Sequence, residues 1–224
     1  MAPMAASQPL MRSPMVAVGQ RRRWTTWALW ILVSVIGAAA GAIVAWEIRS
    51  LVMQDPASQQ LPAIYAAAAV SALILGSGQW LVLRHYRVDA FWWVPATVGA
   101  NLVAAAIIVP GVISLALRGG ISPLNSNTAV VFGAIALSTG GLVVGTAQAL
   151  VLRDTGGHRA WLWIPATILG GALAGALTTA LSPSLIDAVA VYGLPVFALI
   201  SLSSALGSLL ISACQAPIVA RVLR

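Results

Sequence analysis

Lysine is absent from this 224-residue sequence, cysteine occurs once, and acidic residues number only five. Each shortage excludes a kind of chemistry. Without lysine there is no amine for a Schiff base, no lysine nucleophile and no Walker A phosphate loop. The single Cys214 can form neither an internal disulfide nor a cysteine metal cluster. Ionisable groups inside membrane segments usually mark proton relays or reaction centres, because burying them is costly, and none falls there. Glu47 lies just past the first apolar run, Asp187 in an outer loop, and Asp89 and Asp154 in inner loops beside arginines. His85 and His158 fall in turns after apolar runs, too far out to hold a haem between facing helices. Neither is placed to activate Cys214 as a nucleophile. No catalytic residue, metal ligand or cofactor is expected.

What is present is apolar. The chain is 60% hydrophobic and 8% charged, with a mean hydropathy of +0.94, far from the composition of soluble domains. A helix needs roughly 20 residues to cross about 30 Å of hydrocarbon, and six stretches satisfy this: 27–46, 62–83, 92–109, 130–152, 161–181 and 195–219. The runs are continuously apolar, without the polar alternation of strands lining a lumen. The expected fold class is therefore all-α, a polytopic membrane protein with six transmembrane helices.

Arginine placement sets the orientation. In a six-span threading Arg12, Arg21, Arg22, Arg23, Arg84, Arg87, Arg153, Arg159, Arg221 and Arg224 share one side, and only Arg49 and Arg118 take the other. The positive-inside rule makes the arginine-rich side cytoplasmic, with both termini inside the cell (inner) membrane. The basic residues are spread over four segments and form no nucleic-acid footprint. Residues 1–23 lack the apolar core of a signal peptide and read as a mobile cytoplasmic tail.

The sequence also repeats itself. Gly76-Ser-Gly-Gln-Trp-Leu-Val-Leu-Arg84 returns as Gly145-Thr-Ala-Gln-Ala-Leu-Val-Leu-Arg153, and Ala90-Phe-Trp-Trp-Val-Pro-Ala-Thr97 as Ala160-Trp-Leu-Trp-Ile-Pro-Ala-Thr167. The spacing is about 70 residues, a period that signals a repeated structural unit. A weaker copy aligns Trp30 with Trp163, and Ser212-Ala-Cys-Gln215 and Arg221 echo the end of the unit. Three hairpins follow: 24–87, 88–157 and 158–224, all within one membrane domain. Units that each return the chain to its starting side imply a pseudo-threefold axis along the membrane normal. These tandem WWxPAT and GxxQxLVLR units resemble repeats of uncharacterised multi-pass bacterial membrane proteins. The resemblance covers nearly the whole chain beyond the tail, and it implies no activity. Mitochondrial carriers share the three-hairpin plan, but their proline-x-acid-x-x-base signature is missing here: Pro110 precedes Gly111 and Val112, and Pro183 precedes Ser184 and Leu185.

Within the unit, Trp27, Trp30, Trp92, Trp93, Trp161 and Trp163 are expected as anchors at the cytoplasmic interface, where indole rings favour the headgroup level. Pro95 and Pro165 read as helix starts, Pro110 and Pro183 as outer helix ends, and 48–53, 111–117 and 184–192 as interfacial turns or short helices. Counting back seven and three residues from Gln79, Gln148 and Gln215 gives Ala72 and Gly76, Gly141 and Gly145, and Ser208 and Ser212. These offsets share one helix face, so each even helix carries a small-residue groove for close packing, answered by Gly37, Gly41, Ala100, Ala104, Gly170 and Ala174 on the odd helices. Asn101 is expected to bond between helices. The three glutamines would form a ring. It serves either as interhelical glue or as a polar constriction with Arg84, Arg153 and Arg221 as a basic mouth suited to an anion or lipid headgroup. The favoured expectation is a non-catalytic structural or accessory protein whose partners are the lipid bilayer and other membrane subunits. The alternative is a transporter or channel for a small solute.

Overall fold

The computed structural model describes residues 14–52, 57–85, 90–117 and 126–222. They form six long helices: α1 (Pro14–Val52), α2 (Ala57–Arg84), α3 (Trp93–Leu117), α4 (Ser126–Gly156), α5 (Trp163–Tyr192) and α6 (Val196–Val222). Each contains a segment long and apolar enough to cross a membrane. These segments match the six apolar runs. Such helices satisfy every backbone group internally, which a bilayer interior demands.

Two sequence expectations about helix ends are corrected. Pro110 and Pro183 lie inside α3 and α5, so 111–117 and 184–192 continue those helices instead of forming separate interfacial turns. The segment 48–52 likewise belongs to α1, and Met53 falls outside the described residues. Proline removes one intrahelical bond but need not end a helix whose other backbone groups have no competing water. The true stop of α5 is Gly193, at a left-handed φ of 63°, whose N–H bonds to the Val189 carbonyl at 2.9 Å. Glycine adopts this conformation without steric penalty. Pro95 and Pro165 occupy the first turns of α3 and α5, where the missing N–H would have had no intrahelical acceptor. At the other end of the chain, residues 14–23 are helical and continue into α1. Residues 1–13, including Arg12, lie outside the described set, as do Asp55, Arg87, Asp89, Arg118 and Arg224.

Each helix packs against its neighbours in the chain, and α6 packs against α1, closing a ring of six. We call the end where α1, α3 and α5 begin and α2, α4 and α6 finish the base. Small residues bring backbones together both within and between hairpins. Gly41 faces Ser71, whose Oγ donates to the Gly41 carbonyl at 2.9 Å. A β-carbon at Gly170 would lie 2.6 Å from the Ile211 Cα. The α4–α5 contact joins two hairpins and is the tightest. A β-carbon at Gly141 would lie 2.6 Å from the Thr167 carbonyl oxygen, and one at Gly175 would collide with the Gly133 carbonyl. The expected α3–α4 groove is looser, since a β-carbon at Gly140 would meet only the Ile108 and Ala104 side chains at 3.6 and 4.0 Å.

Candidate binding cavity

The base is closed by a three-tryptophan cluster. Trp30, Trp93 and Trp163 are each 0% exposed, and their rings meet edge to face with centroids 5.8, 5.5 and 5.7 Å apart. The interface role expected of these three residues is corrected: they have no free surface to offer a headgroup. Trp92 and Trp161, at 66% and 45% exposure, do point outward. Trp27 is half-buried, with Trp24 4.8 Å away between ring centroids. Each edge-to-face pair contributes about 0.5–1.5 kcal/mol beyond simple burial. Leu83, Leu152 and Val219, each four residues after a glutamine, are 2% exposed and complete the plug.

One turn above each plug tryptophan stands a hydroxyl residue: Ser34, Thr97 or Thr167. A helix places residues four apart on one face, so each odd helix presents its indole and its hydroxyl together. The glutamine of the paired even helix reaches that hydroxyl. Gln79 Nε2 donates to Ser34 Oγ at 3.0 Å, Gln148 Nε2 to Thr97 Oγ1 at 3.1 Å, and Gln215 Nε2 to Thr167 Oγ1 at 3.0 Å. The glutamine oxygen then accepts from the indole of the next hairpin: Trp93 Nε1 donates to Gln79 Oε1 at 3.2 Å, and Trp163 Nε1 to Gln148 Oε1 at 2.8 Å. The remaining corner is open. Trp30 Nε1 and Gln215 Oε1 are both buried without a hydrogen-bond partner.

Above this layer lies a cavity of about 540 Å³, which touches all six helices and all three glutamines. Its lining extends eleven residues along α2, from Gln79 to Ala68, and α4 from Gln148 to Leu137. At 1.5 Å per residue this is about 16 Å of depth, directed away from the base. Of the twenty-five lining residues, twelve are serine, threonine, asparagine or glutamine, and none is charged. The wall is nevertheless largely aliphatic in character, because many hydroxyls already bond elsewhere. Thr178 Oγ1 donates to the Ala174 carbonyl at 2.8 Å, Ser212 Oγ to the Ser208 carbonyl at 2.6 Å, and Ser208 Oγ to the Ser34 carbonyl at 2.9 Å. Asn101 was expected to bridge helices; its Nδ2 instead donates to the Thr97 carbonyl one turn back, at 2.8 Å, while the residue lines the cavity.

The arginines stand apart from this site. None of Arg84, Arg153 and Arg221 lines the cavity, and all three are exposed, so the basic mouth expected of them is not formed around it. The Arg84 guanidinium lies 5.2 Å from the Trp80 ring centroid, and Arg153 Nε lies 3.5 Å from Asp154 Oδ1 at the surface. Cys214 is a half-buried free thiol beside Gln215. Among the described residues no three histidine, cysteine or carboxylate side chains group as a metal site.

Sequence reading found the glutamines but missed Ser34, Thr97 and Thr167. The signal was available: each follows an aligned tryptophan by four residues. A site of this kind defines a class, a helical bundle with an uncharged interior cavity. No protein family, curated protein or solved structure matches the chain.

Proposed function

We propose that the protein is a non-catalytic integral membrane protein of three hairpin repeats about a pseudo-threefold axis, whose interior binds a small uncharged solute as part of a transport pathway. The single observation that carries this reading is the charge-free cavity of about 540 Å³ inside the helix ring, a volume within the usual range of small-molecule sites. An anion would need countercharge, and the lining offers none. The near-equal spacing of the three indoles supports the repeat symmetry. Arginine placement supports a cytoplasmic base; on this reading the tryptophan plug is the closed gate and the cavity faces the outer half of the bilayer. The accessory-subunit reading draws on the exposed apolar flanks, which contact with lipid explains without a partner.

Cysteine accessibility tests the pathway. In a Cys214→Ala background, Ser204→Cys in the cavity wall should react with a membrane-impermeant charged thiol reagent added from the side opposite the base. Leu83→Cys in the plug should stay unreactive from both sides. If position 204 resists labelling from either side, the pathway is lost and the accessory reading stands alone.

A further inference from the structure

Among the described residues three buried side-chain polar atoms lack a partner, Trp27 Nε1, Trp30 Nε1 and Gln215 Oε1, and the last two are the donor and acceptor that the pattern of the other two corners would pair. Gln215 is 3% exposed and lines the cavity, and Trp30 is 0% exposed one turn below Ser34, which also lines it. Both belong to the α6–α1 seam, where Ser208 Oγ bonds the Ser34 carbonyl. A buried polar atom left unpaired loses its water without compensation, and this seam carries one donor and one acceptor of that kind. The chemistry of the third copy accounts for the opening. α6 carries Pro217 two residues after its glutamine, where α2 and α4 carry Leu81 and Leu150. Proline removes one intrahelical N–H and crowds the carbonyl four residues back, so α6 cannot reproduce the backbone of its counterparts at this level. α1 differs too: Trp30 sits in the middle of a long helix, whereas Trp93 and Trp163 begin theirs after the 3₁₀ turns Ala90–Trp92 and Gly157–Leu162.

We propose that Trp30 Nε1 and Gln215 Oε1 form the polar anchor of the cavity and bind one hydroxyl group of an otherwise apolar, uncharged ligand. The ligand oxygen accepts from the indole N–H, and its O–H donates to the glutamine oxygen. The aliphatic wall above takes the hydrocarbon part. This inference rests on reading the cavity as a ligand site and adds the ligand class, a neutral alcohol.

The test uses the full chain purified in one detergent, with 1-octanol and its near-isostere methyl heptyl ether as probes, compared at equal free concentration. Wild type should bind the alcohol about three- to tenfold more tightly, the value of one hydrogen bond. Trp30→Phe removes a donor that either probe's oxygen can use and should weaken both; Gln215→Met removes the acceptor that only the alcohol's O–H can use and should abolish the preference. Trp93→Phe removes a donor already bonded to Gln79 and should keep it. The Trp30 indole proton, assigned by its loss in the Trp30→Phe spectrum or by fragment labelling if that variant fails to fold, should shift downfield on adding octanol, with those of Trp93 and Trp163 unmoved. Equal binding of alcohol and ether by wild type would overturn the anchor while leaving the cavity reading intact. An indole proton of Trp30 already hydrogen-bonded before ligand is added would also overturn it, because the corner would then close on itself. Binding of neither probe, together with an unreactive Ser204→Cys, removes the cavity reading as well.

Discussion

The base of the bundle and the half above it are built from the same helices, yet they pack in opposite ways. At the base, three indoles, Leu83, Leu152 and Val219 fill the axis completely. Over the roughly three turns above the glutamines, alanine, glycine and serine make up much of the lining and leave the axis open. The difference lies in where bulk is placed. Above the glutamines, large residues such as Leu73, Ile107, Leu142 and Leu173 point outward, and the large residues that do line the cavity, among them Ile108 and Leu137, stand between small ones. In the proposed bilayer setting water gives no hydrophobic drive to press the helices together, and contact comes from shape. Small inward residues let adjacent backbones touch without filling the centre. The glutamine layer separates the two regimes, bonding toward the plug and facing the cavity.

The largest way to break this contrast is to empty the plug. Trp163→Ala removes one indole from the cluster and leaves the Gln148 oxygen without its donor. It should lower unfolding stability by about 3–5 kcal/mol, the range for buried aromatic truncation, measured by thermal denaturation in detergent. Trp161→Ala, at the exposed neighbour, should change it little. Similar losses at the two positions would mean that the plug is not the stabilising element.

The contact between hairpins should respond next. Gly175→Val places a side chain against the Gly133 carbonyl, and overpacking of this kind costs about 1–3 kcal/mol. Gly99→Ala meets nothing within 4 Å and should be neutral, or slightly stabilising through helix propensity. A cross-linking rate between cysteines on α4 and α5 would report the same separation independently. If Gly175→Val matches wild type in both assays, these helices do not pack as closely as described.

Pairs such as Trp92 and Trp93 explain what the sequence could and could not reveal. The six helices were legible because an apolar run of bilayer length has few alternatives. The glutamines stood out because an amide recurs at one register of the repeat. Which of two adjacent tryptophans turns inward was not legible from composition, since both satisfy an interfacial preference equally. Consecutive helical residues point about 100° apart, so one neighbour is buried as the other is exposed. The decisive clue was relational: Trp30, Trp93 and Trp163 each precede Ser34, Thr97 or Thr167 by one turn. Pro110 and Pro183 misled for a different reason. Rules for proline as a helix end come from water-exposed chains, and these prolines lie inside long apolar helices that continue past them.

The finest test applies one substitution to both regimes. Ala149 is 0% exposed at the base, and Ala105 lines the cavity. Ala149→Leu must force extra carbons into a filled core, which costs about 1–3 kcal/mol. Ala105→Leu adds the same carbons beside open volume, so little strain arises and the stability change should stay below about 1 kcal/mol. The functional effects should run the other way. Leucine at 105 occupies space that the hydrocarbon part of a ligand would use, so octanol binding should weaken while the protein remains folded. Leucine at 149 lies below the glutamine layer and should leave affinity unchanged in whatever fraction folds. Denaturation curves and octanol titrations on the two variants give four results, and only the crossed pattern fits a packed base beneath a vacant chamber. If Ala105→Leu proved as destabilising as Ala149→Leu, the chamber would be closed in the membrane protein, and the small residues above the glutamines would serve helix contact alone.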